Sequence, residues 1–402
     1  MSPTPRLALL IAAVALGTVV VGPVIGGAAA IVLVVAAAVD ALAVRAEPQT
    51  TRTLPATLAR ARPAPFSVTA ESGPAGATHV RQPLPPDLHV SDGMITARRR
   101  GRHTLPAPAV RREGPLRLGR WDHRPGEPAE IVTYPDLPTA RRLALAVRQG
   151  RLREPGHRPR GPLGLGTDFE AIRDYVPDDD VRQVNWAATQ RAGRPMSNTY
   201  RVEQEREIHL LVDAGRLMAA PLGDATRLDV AIDAAVAVAA VADVLGDRCG
   251  VLAFDAAVLR HLPPRRGGGR AVTQAIFDLE PSGTEADYER AFQAVAGGKR
   301  ALIMVFTDLI EETAARPLAD AMPVLARRHA MIVASAADPD VQGRAGSLDP
   351  YAASAALTVL AEADRAAALL KRAGATTVEA PGSRLAGACV SAYLRAKSRA
   401  RL

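Results

Sequence analysis

Aromatic residues make up only 3% of this 402-residue chain: 6 Phe, 6 Tyr and 2 Trp. Its cores must therefore be built from Ala, Val, Leu and Ile, within a hydrophobic content of 48%. Cysteine is nearly absent. Cys249 and Cys389 alone exclude a disulfide framework. The lack of any C-x-x-C pair or Cys/His cluster excludes a zinc site of the usual kind. Both cysteines lie in apolar stretches and read as buried thiols. No G-x-x-x-x-G-K-[ST] occurs. Gly267–Gly269 follows Arg266 without the lysine and hydroxyl that phosphate and magnesium need, which argues against nucleotide hydrolysis. Neither G-x-S-x-G nor H-E-x-x-H is present, and the 8 histidines are scattered.

Charge is missing altogether between Arg6 and Asp40. The apolar run from Leu7 to Val39 holds 33 residues, whereas one helix needs about 20 to cross a bilayer. Gly22-Pro23 in its middle is a turn signal. The run therefore reads as a helical hairpin, roughly Leu7–Val21 and Val24–Val44. Arg6 and Arg45 flank it, so both ends are expected on the cytoplasmic side of a cell membrane, in a multi-pass topology. The run is too long for the apolar core of a signal peptide.

Basic charge concentrates just after this segment. From Arg45 to Arg160 there are 21 Arg or Lys against 10 Asp or Glu; from Gly161 onward there are 28 against 31. A basic stretch beside a membrane suits anionic lipid headgroups. Interleaved aromatics are absent around Arg98–Arg102, so specific nucleic-acid binding is not expected. Short alternating runs such as Phe66–Ser72 and Glu130–Leu137, separated by Pro and Gly, predict a small β-sandwich-like domain over 47–137. A helix is expected at Thr139–Arg153 with Thr139 as its cap, followed by a Pro/Gly/Arg-rich connector.

Four of the few aromatics (Phe169, Tyr175, Trp186 and Tyr200) cluster between Gly166 and Glu205. The same stretch holds Arg173, Asp178, Asp179, Asp180, Arg182 and Arg191. Adjacent acids splay on a loop or a strand, so Asp178–Asp180 read as salt-bridged structural acids rather than one catalytic site. Tyr175 and Trp186 read as buried anchors. The spacing of Phe169, Arg173, Tyr175, Asp179, Asp180, Arg182, Trp186 and Arg191 resembles the signature of the domain-of-unknown-function 58 family. The chain departs from that pattern at Asp178, where glycine is usual, and at Asn185, where aspartate is usual. Thr189 and Gln190 also replace smaller residues.

The resemblance implies a membrane-anchored protein with a von Willebrand factor A-like domain and a MoxR-type AAA+ ATPase as partner. From residue 206 onward, the sequence itself alternates buried strands with helices. That pattern predicts a doubly wound parallel α/β sheet over 206–402, after a helix, linker and signature segment over 138–205 and a hairpin over 1–46. In such folds ligands bind at the carboxyl ends of the strands, where Asp213 and Asp308 lie. The resemblance implies a degenerate adhesion-type site for Mg²⁺ or Mn²⁺ at Asp213, Thr284 and Asp308. Gly215 and Leu217 stand where serines are usual. Arg216 is expected to pair with Asp213 or Asp308.

These readings predict a non-enzymatic, membrane-anchored scaffold or adaptor. One alternative is a metal-dependent hydrolase built on Asp178–Asp180, Asp213 and Asp308. Another is a binder of anionic lipid or polymer through the basic middle region.

Overall fold

The structure, a computed structural model, describes residues 2–71, 76–152, 163–164, 168–176, 179, 181–201, 206–308 and 312–398. The chain divides into two compact units, Met1–Asp136 and Leu137–Leu402.

The first unit begins with two apolar helices, α1 (Pro5–Val21) and α2 (Pro23–Ala43). Proline opens each, where its missing N–H costs nothing. Gly22, at φ 94°, closes one helix and starts the other, a conformation that L side chains resist. Among the described residues, α2 is the one helix both long and apolar enough to cross a membrane.

The base of this pair is fastened to the β-rich remainder of the unit. Thr4 caps α1, and its hydroxyl donates to the Arg117 carbonyl at 2.6 Å. Asp40 is buried. Its carboxylate accepts the backbone N–H groups of Leu116 at 2.8 Å, Leu118 at 2.8 Å and Gly119 at 3.0 Å. Gly119 must stay glycine, because a Cβ there would lie 2.3 Å from the Ala37 carbonyl oxygen. Asp40 thus both ends the apolar run and locks the helix onto a turn.

Short strands make up the rest of this unit. They form a four-stranded sheet, two three-stranded sheets and a two-stranded sheet. Leu58, Phe66, Leu88, Ile95, Leu105 and Ile131 supply a core of mostly aliphatic side chains.

The second unit opens with α3 (Leu137–Arg148), which starts before Thr139. Thr139 is therefore no cap; its hydroxyl accepts from Arg142. Next come an antiparallel strand pair, Asp168–Asp174 with Met196–Arg201, and α4 (Trp186–Ala192) between them.

A six-stranded sheet dominates this unit. Its strands are β1 (Glu207–Asp213), β2 (Arg248–Phe254), β3 (Val258–Arg265), β4 (Ala301–Phe306), β5 (Ala330–Ala337) and β6 (Thr376–Pro381). The spatial order is β3-β2-β1-β4-β5-β6. All neighbours are parallel except β2 and β3, which form an antiparallel pair at one edge. The expected parallel sheet departs from that pattern only there: too few residues separate β2 from β3 for a crossover helix, so the chain turns back on itself.

Further helices cover both faces of the sheet. One core joins the sheet to α3, α5 (Arg227–Val244), α6 (Gly269–Ile276) and α11 (Gly382–Ser398). The other joins it to α7 (Tyr288–Val295), α8 (Glu312–Ala326) and α10 (Pro350–Arg372). A short α9 (Pro339–Ala345) links β5 to α10. Helix α5 is alanine- and valine-rich and is almost entirely buried, as a helix apolar on all sides must be. Its start is fixed by a capping box between Thr226 and Asp229. The large buried β1 and β4 side chains, including Leu210, Leu211 and Phe306, fill the interior. Fully burying each contributes about 1.5–3 kcal/mol.

Candidate functional site

In the signature segment, the Arg173 guanidinium grips Asp179 with two bonds of 2.8 and 2.5 Å. Asp179 also accepts the Val176 N–H at 2.9 Å, and the Tyr175 hydroxyl donates to the Asp179 carbonyl at 3.1 Å. The hydrogen bond from Arg173, then that from Val176, hold the Asp179 carboxyl below its ordinary range. This acid is structural, as the sequence implied. Asp178 and Asp180 lie outside the described residues. Arg182 falls in the 3-10 turn Val181–Gln183. Arg191 donates from Nε to the Ala187 carbonyl, one helical turn back.

Trp186 corrects the expectation of two buried anchors. It is 71% exposed at the first turn of α4, while Tyr175 is half-buried. This seven-residue helix buries Ala188 instead. Two of the departures from the signature, Asn185 and Thr189, have structural roles. Asn185 caps α4 by accepting the Ala188 N–H at 2.9 Å, and its amide donates to Asn198 at 2.8 Å. Thr189 accepts the Met196 N–H at 2.9 Å, tying α4 to the next strand.

The other candidate residues gather at the carboxyl edge of the large sheet. Asp213 ends β1 and is buried. One of its oxygens accepts the Gly215 N–H at 2.7 Å; the other accepts the hydroxyls of Thr307 at 2.7 Å and Tyr288 at 2.9 Å. Burial pushes its carboxyl above the ordinary value, and these three bonds pull it back. Burial, with the nearby Asp213 charge, drives the Tyr288 phenol well up, so it stays a donor.

Asp308 follows β4, also buried, with Arg227 Nη1 at 2.7 Å from its Oδ1. The same nitrogen donates to the Ala336 carbonyl at 3.0 Å. Arg216 does not pair with Asp213 or Asp308; it reaches outward to Glu285 at 2.6 Å. Thr284 is exposed. Its carbonyl accepts the Arg216 N–H at 2.8 Å, and its hydroxyl meets Ser282 at 2.9 Å.

The fold thus brings the three expected ligands to one edge, but the set fits a divalent ion poorly. Arg227, a fixed cation, already neutralises Asp308, and neutral hydroxyls engage Asp213. Among the described residues, no three His, Cys, Asp or Glu side chains converge as metal ligands. Sequence reasoning missed Arg227, Tyr288 and Thr307. Their signals were slight: Arg227 is the one basic residue of a helix whose other charged residues are aspartates, and Thr307 directly precedes Asp308.

Beside this edge lies a groove of about 690 Å³. Tyr288, Phe292 and several alanines line it, with Glu285, Asp287, Glu289 and Asp320 among the lining side chains. Among the described residues, none that lines it is basic.

The family model described as "Protein of unknown function DUF58" matches residues 171–368. Uncharacterised proteins of Mycobacterium tuberculosis and Mycobacterium bovis are 27% identical over 183 residues, 44% of this chain. The match spans 56% of those relatives' own length. Among solved structures, the conserved hypothetical protein BatB from Bacteroides thetaiotaomicron is 16% identical with a TM-score of 0.34, covering 48% of this chain and 98% of that one. An aerotolerance-related membrane protein from Bacteroides fragilis is 16% identical with a TM-score of 0.24, covering 32% and 67%.

Proposed function

For a chain that belongs through residues 171–368 to the DUF58 family, we propose the role of a non-enzymatic, membrane-anchored scaffold. Its α/β unit is the von Willebrand A-like module of the resemblance, and it faces the cytoplasm. The partner is a MoxR-type AAA+ ATPase, and the pair acts in assembly or remodelling of other complexes.

One observation carries this reading: the acids at the carboxyl edge are occupied by the chain's own groups. Asp308 is held by Arg227 and Asp213 by Tyr288, Thr307 and Gly215. Hydrolysis by metal or by paired carboxylates needs acids that converge on substrate or ion. These converge on protein donors instead. A rigid edge of this kind, next to an acid-lined groove, suits recognition of a partner that presents basic side chains. The apolar α2 supplies the anchor, with α1 as a second span in a hairpin.

The reading is tested with the full-length chain in nanodiscs and a MoxR-type ATPase from the same organism. Saturable binding that weakens when Glu289 and Asp320 are both changed to lysine supports it. No binding with or without nucleotide would sink the partner assignment. Divalent-ion titration of the same sample addresses the metal alternative: a saturable heat with Mg²⁺ or Mn²⁺ would count against the closed edge.

A further inference from the structure

The turn that Asp40 locks onto α2 exposes an apolar side chain. It runs from Gly114 to Leu118, between the paired strands Ala109–Glu113 and Gly119–His123. Leu118 faces inward and packs with Leu7 and Ala37. Leu116 faces outward and is 56% exposed. Val39 and Leu42, on either side of Asp40 in α2, are exposed as well, so helix end and turn both present apolar surface. Arg117 stands in the turn at φ 56°, a conformation that favours glycine and that an L residue adopts at a cost. Its side chain is exposed, and its carbonyl takes the Thr4 hydroxyl. A strained residue held in place by its surroundings points to a use for its side chain.

The level of this turn along α2 is fixed by its bonds. Helix α2 has 21 residues and rises about 31 Å at about 1.5 Å each, close to the thickness of a bilayer's hydrocarbon core. Asp40 lies three residues before its end, where a bare carboxylate enters lipid only at great cost. The N–H groups of Leu116, Leu118 and Gly119 satisfy it, so the turn goes to whatever depth Asp40 goes. The next strand gives a second marker of that depth. Gly119, Trp121 and His123 alternate onto one of its faces. Gly119 abuts Ala37 and Ala41, and His123 Nε2 donates to the Val44 carbonyl at 3.0 Å. Trp121, half-buried between them, is therefore level with the last turn of α2. Tryptophan collects at the membrane–water boundary, where one end of its ring is apolar and the other wet. Arg6 and Arg45, both exposed, flank the helical pair at this same end.

Taking α2 as the membrane anchor, the reading on which this rests, we propose that the turn Gly114–Leu118 is a wedge for an anionic phospholipid surface. Leu116 enters the acyl boundary, Arg117 and Arg6 meet headgroup phosphates, and Trp121 sits at headgroup level. Arginine suits phosphate because its planar fork donates two parallel bonds. The β-rich unit then lies against the bilayer instead of hanging from it on a tether.

The full-length chain in nanodiscs tests the wedge. Trp186, exposed on α4, is changed to Phe, which leaves Trp121 as the one indole. Phospholipid brominated near the headgroup end of its acyl chains should cut Trp121 emission by at least half, and Leu116→Asp should restore part of it. Arg117→Gly relaxes the strained turn, so folding is not at risk. Spin-labelled phosphatidylglycerol should associate with that variant about fivefold less than with its parent, the weight of one arginine at an anionic surface. Spin-labelled phosphatidylcholine should bind both alike. Unquenched Trp121 in an incorporated chain, or an unchanged phosphatidylglycerol preference in Arg117→Gly, overturns the wedge and leaves the anchor standing. A chain that does not enter nanodiscs at all fails the anchor and the wedge together.

Discussion

The carboxyl and amino edges of the one large sheet handle charge in opposite ways. At the carboxyl edge, buried acids are satisfied from within: Arg227 serves Asp308, and three donors serve Asp213. At the amino edge, basic residues stand at the starts of four parallel strands, and among the described residues the buried His329 Nε2 has no hydrogen-bond partner. A closed network holds shape. A conventional reading of an α/β sheet looks to the carboxyl edge for binding. Here that edge is finished.

The sharpest way to break the contrast is to reopen the finished edge. Arg227→Ala leaves Asp308 buried beside no fixed cation. It should cost about 3–5 kcal/mol in denaturant unfolding, as expected when one member of a buried pair is removed. Replacing both partners, Arg227→Met with Asp308→Leu, should recover most of that loss. An unchanged midpoint for Arg227→Ala would show that the edge is not held by this pair.

A smaller effect belongs to the central strand between the edges. Burial, with His329 and His261 nearby, lowers the His209 pKa to about 4. The folded chain keeps His209 neutral, while the unfolded chain takes up a proton below about pH 6.5. Protons therefore bind the unfolded state more readily, and stability should fall as pH drops from about 6.5 to 4, by on the order of 2 kcal/mol. Urea midpoints across that range should flatten in His209→Leu; a slope that persists would assign the loss to other groups.

The smallest effect sharpens the contrast between inside and outside at a single edge. The Arg216–Glu285 pair is exposed, with 58% and 71% of the two side chains accessible. Arg216→Ala should cost less than about 1 kcal/mol, because water screens such pairs. A loss as large as that of Arg227→Ala would mean that the outer pair also holds the edge together.

Much of the second unit was legible in the sequence. The near-continuous apolar runs at 207–213 and 301–306 are what a strand buried on both faces requires, and Thr226 marked the start of α5. Arg173 and Asp179 were readable as a structural pair, because the acidic cluster has arginines on both sides. Trp186 was misread because a large aromatic in a poor composition looks like an anchor, yet it sits on a helix of only seven residues. Asp40 looked like the end of a hydrophobic run; its role depends on a turn more than seventy residues away.

The sequence alone determined where apolar residues recur, and hence the helices, the strands and the apolar N-terminal pair, because periodicity and turn chemistry act over neighbouring residues. It also put Asp213 at the end of β1, Asp308 two residues after β4 and Thr284 in the loop before α7. Only the tertiary structure decided what those acids meet. Arg227 and Asp308 are 81 positions apart, and Tyr288 and Asp213 are 75. No local pattern records whether a buried carboxylate will find a metal, a guanidinium or a hydroxyl. That choice is made when helix α5 packs across the sheet and sets its first turn against the end of β4, where an unpaired charge could not stay buried.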